Sequence, residues 1–146
     1  MSENAACIFC RIVEGKEKAS FVAQGSDAVA FLDLHPINEG HTLVVPRKHA
    51  PSIAEVDEIA SVAMWSLARR IAAGLRTSGL RCEGVNFFLA DGAGAGQEVF
   101  HSHVHVIPRW QGDGFKIEFP PHYGAAAERK TLDDIAARLR KRLSAS

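Results

Sequence analysis

The sequence predicts an α+β fold: an antiparallel sheet of about five strands, with one long helix and one C-terminal helix. Three observations carry this reading. Short apolar, β-branched runs follow one another with turn residues between them, as hairpins do. Only one long stretch of helical periodicity, Asp57 to Ser78, interrupts them. Strands and helices do not alternate regularly, which disfavours a doubly wound parallel sheet.

Taken in chain order, Cys7-Ile8-Phe9-Cys10 opens a short ordered segment. Phe21 to Gln24 and Asp27 to Leu32 read as two strands joined by a Gly25-Ser26 turn. After a loop, His35-Pro36-Ile37-Asn38-Glu39-Gly40, comes the strand Thr42-Leu43-Val44-Val45, stopped by Pro46. In the long helix Met64, Leu67, Ala68, Ile71 and Leu75 form one apolar stripe, which reads as core packing. Asp57 suits its N-cap and Gly79 its C-terminal stop. Gly84 to Leu89 is the next strand, and Asp91 to Gln97 a glycine-rich loop. The run from Val99 to Ile107 is the fifth strand. Residues 111–130 look irregular, and a helix from about Thr131 to Leu143 presents Leu132, Ile135, Ala136, Leu139 and Leu143 on one face.

At 146 residues the chain suits a single domain, 1–146, with room for a substantial core. Its motifs lie within about residues 7–115, and 116–146 reads as a variable C-terminal segment. Lysine plus arginine (17) balances aspartate plus glutamate (17), so a basic coat for duplex nucleic acid is not expected. A small anion needs only a local donor cluster. No stretch reaches the ~20 apolar residues of a membrane span. The start, Met1 to Ala6, lacks a basic n-region, so no export signal and a cytoplasmic setting are expected. Three cysteines make no even disulfide set.

The most informative feature is three histidines at alternate positions, His101, His103 and His105, before Val106-Ile107-Pro108-Arg109. On a strand, residues i, i+2 and i+4 share a face, so three imidazoles are expected side by side. Imidazole titrates near pH 6.5 and serves as nucleophile, proton carrier or metal ligand. The outer two would stand roughly 13 Å apart along a strand, too far for one ion. The glycine loop matches neither a dinucleotide fingerprint nor a P-loop, since no Lys-Ser/Thr or helix follows it. Its place just before the histidines suggests backbone N–H groups facing the same ligand.

The run Gly96 to Arg109 resembles the signature of the histidine triad family of nucleotidyl hydrolases and transferases. Upstream, Asp33, the segment Gly40 to His49 and the opening Cys7-Ile8-Phe9-Cys10 fall in family order. The resemblance implies that His103 is the nucleophile toward the α-phosphorus of a purine nucleotide conjugate, a phosphoramidate or dinucleoside polyphosphate. A nucleotidyl-histidine would form, and water would release the monophosphate. It further implies that His105 holds phosphate oxygens, that His41 lines the site, that Gln97 contacts phosphate or leaving group, and that Asp33 binds the ribose. A homodimer paired through the long helix and the strand near Val85 to Leu89 is implied as well.

Cys7-x-x-Cys10 is half of a tetrahedral zinc site; a redox pair or two buried thiols are the alternatives. In relatives that keep this pair, including the galactose-1-phosphate uridylyltransferases, the remaining ligands correspond to His49 and His101. The resemblance thus implies a structural Zn2+ on Cys7, Cys10, His49 and His101. Ala90 and Asp91 stand where many bacterial relatives carry asparagines, Ser102 where the residue is usually apolar, and Glu98 where some carry a hydroxyl. Two other functions are weighed beside the hydrolase. One is a metallohydrolase with a catalytic ion on His101, His103 and His105; the other is a non-catalytic nucleotide-binding or scaffold protein.

Overall fold

Sheet position follows from which faces of each strand are covered. The computed structural model describes residues 6–145, and the N-terminal stretch read for an export signal lies almost wholly outside them. Two compact units are present, Met1–Phe115 and Lys116–Ser146.

The first unit holds α1 (Ile8–Val13), β1 (Phe21–Gln24), β2 (Ala28–Leu32), β3 (Thr42–Pro46), α2 (Glu58–Thr77), β4 (Gly84–Phe88) and β5 (Val104–Arg109). The strands form one sheet in the order β1-β2-β3-β5-β4, and every pair is antiparallel. β2 and β3 read as unbroken apolar runs because both faces are covered. Period two sends Ala28, Ala30, Val44, Val104 and Val106 into a core with Met64, Leu67, Ala68, Ile71, Ala72 and Leu75 of α2. The opposite residues, Val29, Phe31, Leu43 and Val45, pack with Phe9 and Ile12 of α1. Each such large side chain contributes about 1.5–3 kcal/mol by leaving water.

The ends of α2 follow sequence chemistry. Asp57 caps it, its side chain accepting from Ala60 N at 2.9 Å. Gly79, with φ +86°, turns the chain away after Ser78. The segment opened by Cys7 is a helix, with Cys7 as its N-cap. No parallel strand accompanies it, so the βαβ setting of a redox Cys-x-x-Cys is missing among the described residues.

In the second unit the Phe119 and Tyr123 rings stack at 4.0 Å, and α3 spans Arg129–Leu143. Its apolar face is solvent-facing: Leu132, Ile135, Leu139 and Leu143 are all exposed. Among the described residues no helix is long and apolar enough to cross a membrane.

Candidate active site and metal centre

The histidine run is not a strand throughout. β5 starts at Val104, so of the three only His105 belongs to the ladder, opposite Leu43 and Phe88. Just before it, Ser102 N donates to Ala50 O (2.7 Å) and His101 N to Val99 O (2.9 Å). These bonds, one to a distant loop and one to a near neighbour, take the amides a strand partner would have used. The expectation of three imidazoles on one strand is corrected accordingly: they turn to different partners.

Backbone partners fix which nitrogen of each ring carries the proton, because a carbonyl only accepts and an amide N–H only donates. His101 Nε2 lies 2.8 Å from Pro46 O and must donate, leaving Nδ1 as a lone pair. His103 Nδ1 lies 2.8 Å from His101 O and must donate, leaving Nε2 as a lone pair. His41 Nδ1 accepts from Ile37 N at 3.1 Å, so its proton sits on Nε2. That proton faces His105 Nδ1 at 2.9 Å, with Asp33 Oδ2 at 3.6 Å. His105 Nδ1 therefore accepts, and its Nε2–H is available to a ligand.

The site keeps these rings neutral. Burial lowers His105 to about 4, with the neighbouring His103 and His41 adding to the shift and Asp33 opposing it. Burial also lowers His103 and His41. Phe9 of α1 stands edge-on to His103 at 5.1 Å and to His101 at 5.9 Å, part of the apolar wall that desolvates them. His103 and His105 rings are 4.8 Å apart.

Cys7, Cys10, His49 and His101 bring their ligand atoms within 4.8 Å of one another. The Nδ1 freed on His101 lies 3.6 Å from Cys7 Sγ and 3.5 Å from Cys10 Sγ, and His49 Nδ1 lies 3.3 Å from Cys10 Sγ. A zinc ion with its usual bond lengths sets tetrahedral S···N edges of about 3.5 Å. The donor set therefore fits zinc. Burial and the adjacent Cys7 push the Cys10 thiol up to about 12, a cost that a bound cation reverses.

A second group, Asp33, His41 and His105, has similar spacing. It is a poor metal site. His41 Nε2 could ligate only if the proton moved to Nδ1, which faces the Ile37 N–H donor. Among the described residues His101, His103 and His105 form no common ligand set, so the ion on all three is not supported.

The glycine loop differs from its expected role. Gly92 N donates to Gln97 Oε1 (2.7 Å), Ala95 N and Gln97 N to Gly92 O (3.0 and 3.1 Å), and Gly96 N to Ala93 O (3.0 Å). Those four donors do not face a phosphate. Gln97 is buried, and its Nε2 donates to Pro51 O (2.7 Å) and Val99 O (3.0 Å). It braces the loop from inside; the expected phosphate contact would have to displace one of these bonds. Asp91 Oδ1 accepts from Ile53 N at 2.9 Å.

Asp33 Oδ1 accepts from His35 N at 2.9 Å, a turn that holds the carboxylate beside His41. Sequence reasoning missed Asn38, Arg109 and Asp113 as a group. Arg109 pairs with Asp113 through Nε–Oδ2 (2.5 Å) and Nη2–Oδ1 (2.9 Å), and its Nη1 donates to Asn86 Oδ1. The pairing holds the Asp113 carboxyl far below the usual range. The signal was Pro108-Arg109 followed by Gly112-Asp113-Gly114, which spacing alone does not join to Asn38.

A β1-β2-β3-β5-β4 antiparallel sheet bearing clustered imidazoles beside a Cys2His2 cluster defines a histidine triad architecture. The HIT domain description matches residues 14–112, and the chain belongs to that family. It is 45% identical over 113 residues to an uncharacterized 16.1 kDa HIT-like protein of Mycoplasma pneumoniae, covering 77% of this chain and 78% of that protein. A crystal structure of a HIT family protein from Bacillus anthracis superposes with TM-score 0.84 at 31% identity, over 94% of this chain and 96% of that one. A zinc-bound histidine triad protein from Mycobacterium smegmatis matches with TM-score 0.73 at 33% identity, over 97% and 98% of the two chains. Family membership supports a nucleotide-binding hydrolase or transferase in broad terms.

Proposed function

We propose that this protein hydrolyses purine nucleotide conjugates, phosphoramidates or dinucleoside polyphosphates, through a nucleotidyl-histidine on His103. The observation that carries the reading is the His103 Nδ1–H bond to His101 O, which leaves Nε2 as a lone pair. Nε2 attacks the α-phosphorus, an N–P bond forms and the bond to the leaving group breaks. Water then attacks phosphorus, the N–P bond breaks with its pair returning to Nε2, and a nucleoside monophosphate leaves. His105 Nε2–H donates to a non-bridging phosphate oxygen, where negative charge grows. His41 holds His105 in the tautomer that makes this possible. Asp33 accepts from the ribose hydroxyls. Gln97 acts by bracing the loop beside the phosphate.

Cys7, Cys10, His49 and His101 would hold Zn2+, which supplies a closed structural cross-link with no open position. The zinc-bound M. smegmatis relative supports this choice of metal. A reducing cytoplasm would keep both thiols available. The protein's partner in solution is a second copy. Ile59, Val62 and Trp65 of α2 and Phe87 of β4 are exposed, with Trp65 and Phe87 rings 6.3 Å apart. A dimer covers this face.

The test is nucleoside monophosphate release from adenosine phosphoramidate and diadenosine tetraphosphate by wild type and His103→Ala. Release lost in the variant supports the mechanism. Equal release by both proteins removes the assigned nucleophile. A wild type that binds nucleotide yet releases nothing from either compound favours the binding role.

A further inference from the structure

The group around Asn38 lies outside the reacting atoms; Asn38 itself is buried, and its partners Arg109 and Asp113 are partly so. Asn38 Nδ2 donates to Pro108 O at the end of β5 and to Asp113 Oδ2, both at 2.9 Å. Asp113 is itself fixed by Arg109, and its Oδ1 also accepts from Phe115 N at 3.2 Å. Arg109 Nη2 donates to Phe115 O at 2.6 Å, and the guanidinium lies 4.7 Å over the Phe115 ring. Through Asn86 the same group reaches β4. Asn38 is thus a peg joining one loop to the rigid end of the sheet.

That loop sets the His41 ring. His41 N donates to Asn38 O at 3.0 Å, and Asp33 N donates to His41 O at 2.9 Å. Ile37, the residue before Asn38, presents the N–H that His41 Nδ1 accepts. The amide that decides the His41 tautomer therefore adjoins the residue pinned to β5. If the peg is lost, Ile37 N can swing away. His41 then carries its proton on either nitrogen, and in the wrong tautomer it presents a lone pair to the lone pair of His105.

We propose that Asn38 is a positioning residue for the His41–His105 pair: its two amide bonds, to Pro108 O and Asp113, hold Ile37 N against His41 Nδ1 and so keep the His41 proton facing His105. The effect on turnover rests on the hydrolase reading above; the effect on the tautomer does not.

The experiment uses the full chain, without substrate, carrying 15N-labelled histidine. Nitrogen shifts at neutral pH separate a protonated ring nitrogen from a lone-pair nitrogen. Wild type is compared with Asn38→Ala, which removes the peg, and Asn38→Asp, which keeps its shape but has no N–H to donate. His41 is assigned by its loss in His41→Ala. The expected result is Nε2–H alone in wild type and a mixture of tautomers in both variants. If one variant fails to fold, the other decides. With an active wild type, kcat in the variants falls about 10- to 100-fold, as for a catalytic group displaced by an ångström, while KM stays within about twofold. A folded variant with the wild-type His41 pattern overturns the proposal, whatever its activity. A shifted pattern in a protein whose wild type hydrolyses nothing upholds the peg and removes the hydrolase reading instead.

Discussion

His101 and His105 stand four residues apart on one run, yet they sit in opposite chemical surroundings. His101 is fully buried, gives Nε2–H to Pro46 O and turns Nδ1 toward two cysteines. His105 is half-buried, accepts a hydrogen bond at Nδ1 from His41 Nε2–H and keeps its own Nε2–H for a ligand. Between them His103 donates from Nδ1 to the His101 carbonyl and keeps Nε2 bare. The same ring is left with a lone pair or an N–H to offer according to which of its nitrogens the surroundings occupy. His101 also joins the two regions, since its side chain lies in the Cys2His2 cluster and its carbonyl accepts from His103 Nδ1.

The sharpest way to break this comparison is to remove His101. His101→Ala should lose bound zinc, measured as about one ion per chain in the purified wild type by plasma mass spectrometry. It should also lose more than about 4 kcal/mol of stability in urea, since a metal cross-link and a buried ring go together. A folded His101→Ala protein that retains zinc would sink the ligand assignment.

On the open side the expectation reverses. His41→Ala should retain zinc and fold, while kcat for monophosphate release drops about 10²–10³-fold, because His105 loses the donor that sets its tautomer. Zinc loss in this variant would show that the two regions are not separable.

Acid should strain the open region. The folded His105 titrates at about 4, below the ~6.5 of an unfolded histidine, chiefly because of burial. Between those values the unfolded chain binds more protons than the native one. The contribution to stability is therefore complete above about pH 6.5 and is lost as pH falls toward 4. Melting temperature followed from pH 7 to 4 in wild type and His105→Gln should show a shallower acid decline in the variant. Parallel curves would mean that His105 is not held neutral by the fold.

Two small effects sharpen the picture of the flanking loop. Asp91→Ala should cost about 1 kcal/mol through the lost bond to Ile53 N, and Asp91→Asn much less. Ser102 Oγ is buried, with no hydrogen-bond partner among the described residues. Ser102→Ala should be neutral or stabilising by up to about 1 kcal/mol in urea denaturation. A marked loss would reveal a partner for that hydroxyl.

Much of the fold was legible because it depends on local patterns. The α2 stripe, its Asp57 cap and its Gly79 stop follow from 3.6-residue periodicity and terminal chemistry. β1 to β4 fall within a residue or so of their expected limits. The Cys2His2 grouping was implied by family resemblance, and the four residues lie together. Other features escaped. The six residues of α1 are too few for periodicity to register. α3 has the amphipathic pattern of a packed helix, yet its apolar face is exposed in the chain. The internal bonds of Gln97, to Gly92 N, Pro51 O and Val99 O, were not legible either, because residue type does not say which way an amide turns.

The sequence by itself determined the chemical inventory and the local order: which segments coil or extend, which positions carry imidazole, thiol and carboxylate, and which faces are apolar. Only the tertiary structure decided what each imidazole does. That decision lies in single hydrogen bonds to the Pro46 and His101 carbonyls and from the Ile37 amide, the first made between residues 55 apart in sequence and the other two set by how the local chain turns. Periodicity places a side chain on a face, but a proton's position on a ring depends on the one backbone group that meets it in the folded chain.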